Sequence, residues 1–503
     1  LVILQTLPFW AVAHVPTTDG PSHVYNAWVL REHGNTAEHP LLSRYYEIDR
    51  TPLPNWLGHA ALALLMTFCA PSTAEKILVS GYVVLFLGGA RYLAGAVDPE
   101  RRWLAFLAFP LVFNQTFQFG FYNFGLSLGF LFLALGFWWR RRTAPGLELA
   151  VGIHLILLLC WFSHIVSTVL ALAGIGVLWL VTLRRETWKR HLLHVLILAP
   201  QAILPLWFVI SHRSGTIPAQ QPAAVIWWYF LRMQVLFTFS GGQLILGSAL
   251  ASLFGALAVL TLAGRFVERT AGRPVLREED GFLLVAVLAF VIFFISPEGM
   301  SNGSLLKMRL SLYPWLLLIP WLAPWFPPRF AQPARAGLIA LLALVAAGNA
   351  GAHARWWRST DHEVQVFLAA TRGIEPGTRV LPILWDHHAS IGLVSYLDHA
   401  FARAATEKGL VDWSNYEATT DHFPVRLRPR APKFDGYTLM AMPWNYDVRF
   451  RRHQIDYVFS WKVPPQSPLA RRLRHTYTLV AMEGDACLYE RKERVRERQR
   501  IAL

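Results

Sequence analysis

The stretch PTTDGPSHVYNAWVL, residues 16–30, follows directly on the apolar run LVILQTLPFWAVAHV, residues 1–15. Asp19 and His23 stand four positions apart, so on a helix that starts near Gly20 they share one face. A carboxylate where an apolar run surfaces, beside a membrane cavity, can act as general base towards an acceptor hydroxyl. Asp19, with His23, is therefore the candidate catalytic pair. The same residues have a plainer reading, in which Asp19 or Gly20 caps the helix and Pro21 sits in its first turn. The two readings are compatible, because a cap also holds a carboxylate in place.

Other polar groups interrupt the apolar pattern. His164 in CWFSHIVS stands at a tight turn between two apolar runs, where an ionisable residue is either functional or a turn cap. Glu298 in SPEGMSNG reads as a second acid or, better, as the start of a loop. The run NQTFQFGFYNF, residues 114–124, offers the amides Asn114, Gln115, Gln118 and Asn123. His59, in a short apolar helix, reads as structural. WDHHAS, residues 385–390, groups Asp386, His387 and His388, but neighbouring histidines point apart on a strand and no HxxxH or HExxH spacing supports a metal there. NYEATTDHF (415–423) and PWNYDVRF (443–450) have the aromatic and polar mix that stacks on sugars, although an inward-packed loop explains them more simply.

The elements that position these residues are legible in the composition. Of 503 residues 54% are hydrophobic, with 21 Trp and 32 Phe, and apolar runs recur along the first 350 positions. That is the composition of a helical polytopic membrane protein, in which a span takes about 20 apolar residues and satisfies its own backbone. The net charge of +15 is largely carried by short Arg-rich loops, which leaves little reason to invoke nucleic acid. Those loops are DPERR (98–102), RRR (140–142), RRETWKR (184–190), RFVERTAGRPVLRE (265–278) and PPRFAQPAR (327–335), all cytoplasmic by the positive-inside rule. Between them lie four hairpins of spans: 103–119 with 122–139, 148–163 with 165–183, 191–210 with 242–262, and 281–296 with 308–326. With the opening run, 76–97 and 336–352, about eleven spans result, and WLGHAALALLMTFCA (56–70) becomes a juxtamembrane helix in the outer interface. The transmembrane domain is then 1–352, with a first outer loop at 16–75, and 353–503 lies outside.

Residues 353–503 read differently. TRVLPIL (378–384), QIDYVFSW (454–461) and YTLVAM (477–482) are strand-like, which gives a C-terminal extracytoplasmic α/β domain with the tail ERKERVRERQR (490–500) as a solvated, fraying charge run. The three cysteines lie far apart, with neither metal-type spacing nor a disulfide framework. The chain opens inside an apolar run, so residues are expected to precede Leu1. A signal peptide is disfavoured, since no small-residue cleavage site follows. No P-loop, GxGxxG or GxSxG stands in a suitable context.

TTDGPSH after a first span, followed by RYYEIDRTPLPNWLGHAALALL (44–65) and a soluble domain after the last span, resembles the GT-C-fold membrane glycosyltransferases. That family includes protein mannosyltransferases and aminoarabinose transferases. The resemblance implies inverting transfer of a sugar from a polyprenyl-phosphate donor to an extracytoplasmic glycan, lipid or protein, with Asp19 in the place of the catalytic aspartate. It also implies a bacterial-type inner or plasma membrane. A phosphate leaving group calls for positive charge. Lys307 and Arg309 in SLLKMRLSLYPW, then Arg232, are the candidates, with interfacial snorkelling as the plainer role. His164, Asn123 and Glu298 complete the candidate substrate-binding set. Members of the family often carry an Asp–Glu pair in the first loop and a further acid later. Here Gly20 follows Asp19 and NQTFQFGFYN has only amides, so no cofactor is expected and a divalent metal lacks carboxylate oxygens. A transporter or flippase for a lipid-linked precursor, or a non-catalytic binding protein, is the competing class. The absence of an internal repeat and of mid-span charges disfavours transport.

Overall fold

The computed structural model describes residues 1–503 except 213–214, 219–220, 271, 273, 301–302, 388–393, 435 and 502–503. The chain divides into two compact units. One comprises Leu1–Pro8, Pro52–Leu57 and Val79–His353; the other comprises Phe9–Thr51, Gly58–Leu78 and Ala354–Leu503. Residues 16–51 and 58–75 thus belong to the second unit together with 354–503.

Among the described residues six helices are long and apolar enough to cross a membrane: Pro71–Val97, Tyr122–Arg141, Ile165–Thr182, Arg185–Ser211, Gly242–Thr270 and Pro328–Gly373. The protein is polytopic and mostly helical. The other expected spans are shorter or broken. Leu147–Ser163 stops where His164 turns extended, and Gly281–Ile295 stops before Ser296 and Pro297. The expected span 308–326 is split into Leu306–Leu310 and Tyr313–Leu318, with Pro314 in the second piece, and the opening run holds a helix only over Val2–Trp10. The expected span 103–119 is a 3-10 helix over Pro99–Leu111 followed by a single turn, Gln115–Gln118. Thirteen residues in 3-10 form reach about 26 Å, against about 20 Å in α form, so this unusually long 3-10 run compensates for shortness.

In the first unit, Tyr122–Arg141 is buried along most of its length. It packs closely on Pro71–Val97 because glycines face it: a Cβ on Gly129 would lie 2.5 Å from the Leu85 side chain, and one on Gly89 would lie 2.9 Å from the Gly129 carbonyl. Gly125 and Gly129 form the GxxxG spacing that lets apolar helices approach. Ser127, Ser167 and Tyr313 link three elements through hydroxyl contacts of 2.5 and 2.7 Å.

The acidic run Glu278–Asp280 gathers the Arg-rich loops. Arg101 meets Glu279 at 2.9 Å, Arg142 meets Glu278 at 3.2 Å, and Arg265 meets Glu279 and Asp280 at 3.2 and 3.3 Å. Arg184 lies 3.9 Å from Glu278, and Trp321 donates its indole N–H to Asp280 at 2.9 Å. Four of the five basic loops therefore meet at one acidic cluster, and Arg335 of the fifth lies 3.7 Å from Glu100.

The second unit is built on a five-stranded mixed sheet in the order Val411–Asp412, Arg379–Leu384, Tyr457–Trp461, Ala486–Arg491, Tyr477–Glu483. The first three strands run parallel and the last two pairings are antiparallel. RVLPIL and YVFSW are buried on both faces, as central parallel strands are, and accordingly read as unbroken apolar runs. Pro382 is tolerated in a central strand because its neighbour on that side pairs only as far as Val380. The tail is ordered: Ala486–Arg491 is a strand and Lys492–Ile501 a helix, tied down by Arg498 to Glu375 at 2.8 Å and by Arg494 to Glu490 at 3.3 Å. Of these two acidic partners Glu490 is buried and Glu375 is partly exposed.

The opening segment is interwoven with this sheet unit. Tyr46–Ile48 pairs antiparallel with Val425–Leu427, Asn26 and Asn415 exchange side-chain hydrogen bonds at 3.0 and 2.9 Å, and the Tyr25 hydroxyl donates to the Leu410 carbonyl at 2.8 Å. Helix Gly20–Glu32 is consequently buried from Gly20 to Val29. Beneath it Arg403 forms a buried pair with Glu75 at 2.9 Å and donates to the Val15 carbonyl at 2.6 Å, joining all three segments of the unit. Removing one partner of such a pair leaves a buried charge and costs about 3–5 kcal/mol, while removing both costs far less. Glu75→Leu is expected to lower the thermal midpoint of detergent-solubilised protein strongly, and the Glu75→Leu/Arg403→Leu double variant to recover much of it. A double variant no better than the single one would show that the pair contributes more than charge compensation.

Candidate functional site

Asp19 occupies the N-cap position of helix Gly20–Glu32, with Pro21 in the first turn, as the residue types require. Its side chain makes no capping hydrogen bond. The expectation that capping holds the carboxylate is corrected accordingly: its φ and ψ of −88° and −16° are helical, not the extended geometry that aims a cap at the first turn. The carboxylate turns instead to His399, whose Nε2 lies 3.6 Å away, and to a hydrogen bond with Tyr416. The His399 and Tyr416 rings stack at 4.6 Å. Burial raises the Asp19 carboxyl above the ordinary carboxylate value, against the lowering charges of His399 and His23. A carboxylate brought closer to neutrality is a better base for a hydroxyl.

One turn along, His23 reaches a group that its position in the sequence did not reveal. Its Nδ1 lies 2.8 Å from one oxygen of Glu417, and His59 Nε2 lies 2.9 Å from the other. Glu417 opens the short 3-10 turn Glu417–Thr419 and is fully buried, as is His59; His23 is 5% exposed. The two imidazoles meet edge to face at 5.0 Å, and Phe423 packs against both, at 5.9 and 5.6 Å. Burial alone would raise the Glu417 carboxyl, but the charges and close polar contacts of His23 and His59 outweigh it and hold it well below the usual carboxylate range. The donor set is one that a metal ion could also use. His59, which the sequence suggests is structural, is therefore part of the cluster, and Glu417 lies in NYEATTDHF, a segment whose aromatic and polar mix suggests sugar stacking rather than an ion pair. Glu417 stands 358 positions from His59, so only the fold brings them together. The glutamate in NYEATTDHF was the one available signal.

The residues expected to bind substrate lie in the first unit. Lys307 is buried and its ammonium donates to the Phe293 and Phe294 carbonyls, each at 3.1 Å, so it terminates helix Gly281–Ile295. Arg309 stacks over Phe121 at 3.9 Å and donates to the Ser304 carbonyl. Arg232 is exposed and lies over Trp228 at 5.1 Å. His164 accepts from the Val166 amide at 3.3 Å, as the turn-cap reading requires, and meets Phe124 edge-on at 5.3 Å. Asn123 donates to the Asn55 carbonyl at 3.1 Å. Glu298 hydrogen-bonds through its backbone to Ile217 and Leu306, within a paired loop. Of the WDHHAS group, His387 pairs with Asp398 at 2.9 Å and Asp386 with Lys462 at 3.2 Å; His388 lies outside the described residues.

No family model, curated protein or solved structure matches the chain.

Near His399 lies a second perturbed acid. Burial pushes the Asp412 carboxyl up to about 6, against two opposing hydrogen bonds from the Ser414 amide and hydroxyl at 2.8 and 2.7 Å. A carboxyl whose folded value lies above the ordinary 3.8 contributes stability that is complete below that value and lost as pH rises through about 6. The thermal midpoint of wild type relative to Asp412→Asn should therefore fall between about pH 4 and pH 7, by the equivalent of roughly 2–3 kcal/mol. Parallel curves for the two proteins across that range would contradict the assignment.

Proposed function

We propose that this protein is a membrane glycosyltransferase of GT-C type, moving a sugar from a polyprenyl-phosphate-linked donor to an extracytoplasmic acceptor, with Asp19 as general base. The observation that carries this reading is the state of Asp19. It stands at the head of a buried helix just after the first apolar run, is partly exposed, and is aimed by His399 and Tyr416 rather than tied to the helix end. In the proposed reaction Asp19 takes the proton of the acceptor hydroxyl as that oxygen attacks the anomeric carbon. The bond to the phosphate oxygen breaks and polyprenyl phosphate leaves from the opposite face, which inverts the configuration. His399 and Tyr416 orient the carboxylate, and His23 sits one turn behind it.

The layout of about eleven spans with the second unit outside is supported by the meeting of the basic loops. Loops that share one acidic cluster lie on one side, which supports an even number of crossings between them, with Leu147–Ser163 paired to Ile165–Thr182 and Gly281–Ile295 to the pieces up to Trp321 in this reading. By the positive-inside rule that cluster marks the cytoplasmic side. Lys307 and Arg309, then Arg232, are the cations assigned to the lipid phosphate in this reading; Lys307 donates to helix-terminal carbonyls and Arg309 to the Ser304 carbonyl.

Purified wild type and Asp19→Asn, offered radiolabelled polyprenyl-phosphate sugars with membrane extract as acceptor, test the reading. Transfer by wild type and a loss of about 10²–10⁴-fold in a folded Asp19→Asn protein are expected. Equal lipid binding by both with transfer by neither would move the protein to the binding or transport class.

A further inference from the structure

We propose that His23, His59 and Glu417 bind one divalent transition-metal ion of the zinc class. This proposal stands apart from the transferase reading and is tested without it. The three residues offer an imidazole Nδ1, an imidazole Nε2 and a carboxylate oxygen, all within 4.8 Å of one another and all buried. Two imidazoles with one carboxylate suit a borderline-soft ion such as Zn²⁺, whereas Mg²⁺ and Ca²⁺ favour oxygen donors throughout.

The distances are compatible with this use. His59 Nε2 and Glu417 are hydrogen-bonded at 2.9 Å, while His23 Nδ1 lies 2.8 Å from the other oxygen as a close contact without hydrogen-bond alignment. Tetrahedral ligands around Zn²⁺ stand somewhat further apart, so opening the trio by about half an ångström admits the ion. Charge also fits. A divalent cation would compensate the buried Glu417 carboxylate, with Asp19 one turn away on the helix that carries His23. Phe423, packed against both rings, supplies the apolar wall that keeps competing water from such a site.

The ligands come from three separate pieces of chain: helix Gly20–Glu32, helix Trp56–Leu65 and the turn Glu417–Thr419. An ion there would clamp the first turn of the helix that Asp19 heads, and so fix the position of that carboxylate. Because no ligands are adjacent in sequence, neither a zinc-finger spacing nor an HExxH signature exists to announce the site.

The test uses full-length protein isolated in detergent through a tag without histidine. Metal content is measured by plasma mass spectrometry, then Zn²⁺ is titrated into chelator-stripped protein against a competing zinc dye. One Zn²⁺ per chain is expected for wild type and for the control His387→Ala, with Zn²⁺ affinity weakened about tenfold or more in His59→Ala and in Glu417→Gln. Wild type that takes up no stoichiometric Zn²⁺, or both cluster variants binding as tightly as wild type, overturns the proposal. Should the variants fail to fold, the Zn K-edge X-ray absorption spectrum of zinc-loaded wild type decides. Imidazole scattering from two histidines supports the site, and a shell of oxygens alone or any sulfur overturns it.

Discussion

A carboxylate with no exposed surface, Glu417, sits between two imidazoles, and the second unit is organised around that arrangement. An isolated buried charge is intolerable, so Glu417 requires His23 and His59, and these in turn must be delivered by helices from far upstream in the chain. The helix carrying His23 is held on its other side by the Asn26–Asn415 exchange and the Tyr25–Leu410 bond. The segment before it is held by Arg403 through the Val15 carbonyl, and the same guanidinium holds Glu75. Once these contacts exist, Asp19 has one place to be: the start of a rigid, buried helix, facing His399. The geometry of the candidate base thus follows from satisfying a charge one helical turn along, at His23 and Glu417.

The first unit solves a different problem with the same economy of groups. Apolar helices gain little by hiding from lipid, so they approach through small residues, and Gly89, Gly125 and Gly129 permit that. Polar contacts connect elements within the bundle, as the Ser127–Ser167–Tyr313 hydroxyls do, and at the acidic cluster Glu278–Asp280. That cluster explains why the loops are rich in arginine rather than lysine. A planar guanidinium can serve two carboxylates at once, as Arg265 does for Glu279 and Asp280.

Much of this was legible in the sequence wherever the signal is local. The membrane character, the strands at 379–384, 457–461 and 477–483, and the start of a helix at Gly20 all follow from runs, periodicity and caps. Span number was less legible, because hydropathy does not distinguish an α-helix from the 3-10 run Pro99–Leu111 or from a helix broken near Pro314. The tail is a partly exposed charge run that also forms a strand and a helix, with Arg494 and Arg498 reaching Glu490 and Glu375. The partners of Asp19, and the place of the opening loop in the second unit, were not legible. His399, Tyr416 and Glu417 reach the opening loop only through tertiary contacts, and a single sequence carries no record of those.

The central claim is that the opening loop and the C-terminal domain are one folded unit held by Glu417. Hydrogen–deuterium exchange on full-length wild type and Glu417→Ala tests it most directly. Helix Gly20–Glu32 and the segment after His59 should exchange slowly in wild type and much faster in the variant, while Tyr122–Arg141 stays protected in both. Rapid exchange of helix Gly20–Glu32 in wild type, or protection there that ignores the loss of Glu417, would contradict the account.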